Sequence, residues 1–92
     1  MIFAEYKNDD AAKTFSISFA NVEVKTDGWK HVNATYHLEN AVNKAFDETR
    51  PDKFIVSIAD KHNYYLKLIA IAFVAYLRGL GFSNYDIETI NF

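Results

Sequence analysis

Residues Leu66–Leu77 read LKLIAIAFVAYL, twelve positions carrying a single charge, Lys67, and apolar around nearly the whole helical circumference. A helix of this kind must be buried on more than one side. A chain of 92 residues has little material with which to enclose it. The stretch is therefore either the central packing element of a compact α/β domain or a helix partly covered by a second copy of the chain.

Working outward from it, Asp60 and Asn63 are candidate N-caps. Gly79 and Gly81 are candidates for the left-handed residue that ends the helix near Leu80. Before it, KFIVSIAD at 53–60 is apolar on both faces through Phe54, Ile55, Val56 and Ile58, the pattern of a central strand. After it, YDIETIN at 85–91 alternates and predicts a more exposed closing strand.

The first half of the chain reads as strands and one amphipathic helix. IFAEYK at 2–7 alternates, and TFSISF at 14–19 sets Phe15, Ile17 and Phe19 against Ser16 and Ser18, the pattern of a half-buried strand. Apolar parity switches at Val22 and Val24, which predicts a bulge or bend at Ala20-Asn21. Asp27-Gly28 is a favoured hairpin turn, so VEVKT and WKHVN are candidate partners across it, with a helix start at Asp27 as the rival. Leu38, Ala41, Val42, Ala45 and Phe46 share one helical face, with Glu39, Asn43, Lys44 and Asp47 opposite. Pro51 closes that helix. The expected fold is one α/β (α+β) domain over 1–92, a two-layer sandwich with a mixed four- or five-stranded sheet and two helices in the order β-β-(β)-α-β-α-β.

Composition narrows the function classes. Half of the residues are apolar and 24% are charged, as in an ordinary globular domain. The net charge is −2 and the Lys and Arg residues form no stripe, which argues against nucleic acid as a partner. Cysteine is absent, so disulfides and thiolate metal sites are excluded, in keeping with a reducing, cytoplasmic setting. No basic leader precedes an apolar core at the N-terminus and no run reaches the ~20 residues of a membrane span, so the chain is expected to be soluble, unprocessed and without a membrane partner.

The chemistry-bearing residues are sparse. Glu5, Glu39 and Asp60 occupy positions from which strand ends and a helix start can converge, and three carboxylates together would bind Mg²⁺ and activate water. The element order, with HLENAV at 37–42 and FIVSIADKH at 54–62, resembles ribonuclease H-like domains, with Glu5 in the place of that family's Asp. That resemblance implies a metal-dependent nuclease-like or nucleic-acid-binding domain. The plainer reading makes Glu39 a solvated helix residue and Asp60 a cap, and it carries more weight. From about 14 to 90, a strand pair leading into helix, strand, helix, strand, with an apolar second helix ending in Gly, resembles STAS-like domains. Where that family carries its phosphorylatable Ser, this chain has Lys61, His62, Asn63 and Tyr64.

His31, His37 and His62 lack metal-ligand spacing, Ser16, Ser18 and Ser57 lack a glycine elbow, and no Gly-rich loop precedes a helix. No cofactor, catalytic residue or metal ligand is expected. The remaining candidates are aromatic and aliphatic: Trp29, Tyr64, Tyr65 and Tyr85 sit near element ends, and Ile71 is among the residues (Ile69, Ile71, Phe73, Val74, Tyr76) of which some must face outward from the second helix. Such a surface predicts a homodimer, or another protein as partner. The expected function is that of a non-catalytic protein-interaction domain of a regulatory or inhibitor type.

Overall fold

The computed structural model describes residues 3–21 and 27–92. Alternating apolar side chains produce the first hairpin, β1 (Phe3–Asp9) and β2 (Thr14–Ala20), paired antiparallel from Phe3 opposite Ala20 to Asp9 opposite Thr14. Its turn is held locally: the Ala12 N–H donates to Asp9 Oδ1 at 3.0 Å, and Lys13 takes a left-handed φ of 51°. The Lys13 carbonyl then accepts from the N–H groups of both Asp52 and Lys53, which fixes the hairpin to a later strand.

β3 (Lys30–Val32) settles the ambiguity at Asp27–Asn33 in favour of a strand. It pairs antiparallel with β1, placing His31 opposite Glu5. The expected partner strand at 22–26, and the continuation past the bend at Asn21, lie outside the described residues.

α1 (Thr35–Glu48) buries Leu38, Val42 and Ala45, as its apolar stripe predicts, and ends short of Pro51 with Arg50 in the left-handed region. β4 (Lys53–Ile58) lies parallel to β2, α2 (Tyr64–Gly79) follows it, and β5 (Ile87–Ile90) lies parallel to β4. The mixed sheet runs β3-β1-β2-β4-β5. β4 is an interior strand between β2 and β5, as its apolar run predicts, and β2 is the middle one. On β4 the helix-facing Phe54, Val56 and Ile58 are fully covered, whereas Ile55 and Ser57 on the second face are half-buried. The unbroken apolar run of this strand reflects one buried face and one partly covered face.

Both helices cover the same face. Register places Phe15 beside Phe54, Ile17 beside Val56 and Phe19 beside Ile58, and strand alternation sends all six to one side. Phe46 of α1 meets Phe54 edge-on at 6.1 Å, and Phe73 of α2 meets Phe19 at 5.9 Å. Phe82, beyond α2, completes an aromatic cluster by packing on Phe54 at 4.6 Å and Phe46 at 5.5 Å.

The ends of α2 follow from single residues. Asn63 is the N-cap, its Oδ1 accepting from the Leu66 N–H at 3.1 Å. Asp60 instead accepts from the His62 N–H and shapes the preceding turn. At the other end the Gly81 N–H donates to the Arg78 carbonyl and the Phe82 N–H to the Leu77 carbonyl, a Schellman closure in which Gly81, with φ of 104°, is the left-handed residue. Gly79 does not share that role: it is the last residue of the helix itself.

Candidate interaction surface

The helical repeat sorts the residues of α2 onto two faces. Leu66, Ala70, Phe73, Val74 and Leu77 are turned to the core. Tyr64, Leu68, Ile71, Ala72, Ala75 and Gly79 are exposed on the far side, and Tyr65 stands at its margin. Exposure reaches 67% at Tyr64, 77% at Tyr65, 45% at Leu68 and 46% at Ile71. Lys67 and Arg78 border this apolar stripe along one side, and the Arg78 Nε–H donates to Asn84 Oδ1 at 3.0 Å, drawing that cation toward the following loop. The stripe therefore carries no charge along its midline.

Of the outward candidates read from sequence, Ile71 faces solvent, while Phe73 and Val74 are core residues at 5% exposure each. Leu68, one turn after Tyr64 and one turn before Ile71 and Ala72, was legible from spacing but was not among those candidates. Trp29 and Tyr85 do not join this surface. Trp29 precedes the edge strand β3, whereas α2 packs over β2 and β4. Tyr85, 98% exposed, lies beyond the far end of α2 near the start of β5.

Beside the stripe, a mostly apolar cleft of about 170 Å³ opens between the two helices, with Phe19, Leu38, Ile69 and Phe73 in its walls and Glu39 and Tyr76 among its polar members. Its size suits one ring or branched side chain, because a dry apolar cavity of ~150 Å³ accommodates benzene. The Tyr76 hydroxyl donates to Asn43 Oδ1 at 3.4 Å and so ties α2 to α1. Desolvation holds its pKa above the ordinary tyrosine value, and the nearby charge of Glu39 pushes in the same direction.

The three carboxylates are not brought together. Glu5 alternates with the core-facing Ala4 and Tyr6 and therefore lies on the sheet face opposite α1, the helix that carries Glu39. β2 intervenes between β1 and β4, which sets Glu5 and the strand leading to Asp60 roughly 10 Å apart across the sheet. Glu5 is instead enclosed, 2% exposed, in register with His31 on one side and Ser18 on the other. Among the described residues no group of three or more His, Cys, Asp or Glu side chains is placed to hold a metal ion. His31 and His37 share only a shallow hollow with Tyr6, Val32 and Asn33. No described helix is long and apolar enough to cross a membrane.

Comparison of the chain with family models, with curated proteins and with solved structures found no match.

Proposed function

We propose that this chain is a small non-catalytic protein-interaction domain, of a regulatory or inhibitor type, that works as a homodimer through the outward face of α2. The observation that carries the reading is the uncharged apolar midline of that helix, since monomers rarely leave contiguous apolar area of this kind facing water. Burial against another protein surface removes it from solvent and leaves only the tyrosine hydroxyls in need of hydrogen-bond partners, because the other exposed side chains are aliphatic or glycine. The absence of cysteine from the sequence supports a cytoplasmic setting.

The test is solution mass by light scattering for the wild type and for Ile71→Glu. Ile71 is nearly half exposed, so a carboxylate there is tolerated by the folded monomer while a dry interface must desolvate it. The expected result is a wild-type dimer and a folded, monomeric variant. A wild type that stays monomeric at high concentration overturns self-association.

A further inference from the structure

The two helices rest on the same face of the sheet but do not close over all of it. Thr35 and Glu39 fall one turn apart on α1, and Ile69, Ala72, Phe73 and Tyr76 share one face of α2 at the spacing i, i+3, i+4, i+7. Between these two rows lies the cleft of about 170 Å³, with Phe19 of β2 in its wall. Ala72 leaves the room, since it presents a methyl group where its neighbours on that face present Ile, Phe and Tyr side chains. Concave sites between helices, apolar with a few polar groups, are where proteins hold small ligands.

The polar atoms of the cleft share one property: all can accept hydrogen bonds. Glu39 contributes a carboxylate, the one charged group among the described residues that line the cleft. Tyr76 has its proton committed to Asn43 Oδ1, which leaves the lone pairs of its own oxygen. Thr35 adds a second hydroxyl. The carboxylate is close enough to act on Tyr76, because after desolvation its charge is the second cause that holds the phenolic proton in place. The apolar walls are largely aromatic. Phe19 and Phe73 meet edge-on at 5.9 Å, and the rings of Phe73 and Tyr76 lie 6.2 Å apart.

We propose that the cleft between α1 and α2 is a binding site for a small arylalkyl ammonium, one aromatic ring carrying a primary amine on a short stem. The ring packs among Phe19, Ile69 and Phe73, in a void of the size that one ring fills. The ammonium stays at the polar edge with Glu39, Thr35 and the Tyr76 oxygen. It has three donors and no acceptor, which matches a carboxylate and two hydroxyl oxygens. An anionic head group in the same place would face Glu39, with no Lys, Arg or His among the described lining residues to offset the repulsion. The site lies within one copy of the chain, so it stands apart from self-association.

The test is a titration with benzylamine at neutral pH, followed by two-dimensional amide NMR, with benzyl alcohol as the neutral analogue and benzoate as the anionic one. Benzylamine is expected to shift the amides around Leu38, Ile69 and Phe73 saturably. It should bind roughly threefold to fivefold tighter than benzyl alcohol, the gain that a solvent-exposed ion pair supplies, and benzoate should not bind there. Glu39→Gln should lower benzylamine to the affinity of benzyl alcohol and leave benzyl alcohol itself unchanged. Ala72→Leu should abolish both by filling the void. Both positions are exposed, so neither change disturbs the core. Shifts that do not saturate, that map away from the cleft or that survive Ala72→Leu overturn the site. Equal affinity for benzylamine and benzyl alcohol, or an unaltered response in Glu39→Gln, overturns the choice of an ammonium.

Discussion

At the level of single residues, Phe54 does the most to join the layers. It is 1% exposed and its ring touches those of Phe15, Phe46 and Phe82, one from a neighbouring strand, one from α1 and one from the segment after α2. Truncation of Phe54→Ala should therefore cost about 3–5 kcal/mol of folding stability, measurable by urea denaturation, because three separately held rings cannot all collapse into the space. Tyr76 gives a pH signature. The folded state holds its phenolic proton more tightly than the unfolded chain does, so this contribution is complete below pH 10.0 and is lost as pH rises through the higher folded value. Melting temperatures of wild type and Tyr76→Phe compared at about pH 9 and about pH 11 should show the wild type losing more over that interval. Equal losses would mean that the hydroxyl is no better protected in the fold than in the open chain. The burial of Glu5 was not legible in the sequence, where IFAEYK at 2–7 alternates with apolar residues on both faces. Strand alternation does set it on the second face, but enclosure there depends on neighbours that no local pattern names.

At the level of elements, the sequence was most legible where one periodicity had no rival. Leu38, Val42 and Ala45 at helical spacing gave α1, and Phe15, Ile17 and Phe19 at strand spacing gave β2. β4 is an interior strand, as its apolar run predicts, although the second face to which Ile55 contributes is only half covered. The two glycines near the end of α2 look equivalent in sequence and are opposite in structure. Gly81 holds a backbone conformation that side chains disfavour, and Gly79 does not. Gly81→Ala should accordingly destabilise the fold by about 1–2 kcal/mol, the cost of forcing an L-residue into the left-handed region. In dilute, monomeric protein Gly79→Ala should raise the melting temperature. The same calorimetric experiment on both variants checks the contrast, and a shift of the same sign in each would contradict the Schellman assignment.

For the molecule as a whole, strand order was the part that sequence withheld. Hydrophobic periodicity reports which side of a strand is buried and is silent on which strand lies beside it. The arrangement β3-β1-β2-β4-β5 decided two matters at once. It put β2 between Glu5 and Asp60, and it placed α2 over β2 and β4 with one flank left to solvent. The order of the sheet also shapes how the chain assembles. β1 and β2 are joined by a four-residue turn, residues 10–13, and can find each other quickly. The bond between β2 and β4 instead unites residues roughly forty positions apart, at a closure entropy of about 3 kcal/mol, and neither α1 nor α2 gains its floor of phenylalanines until that junction exists. The parallel ladder from Thr14 and Lys53 to Phe19 and Ile58 is the longest-range pairing among the described strands, and because the docking of both helices depends on it, its formation is expected to weigh heavily on the folding rate.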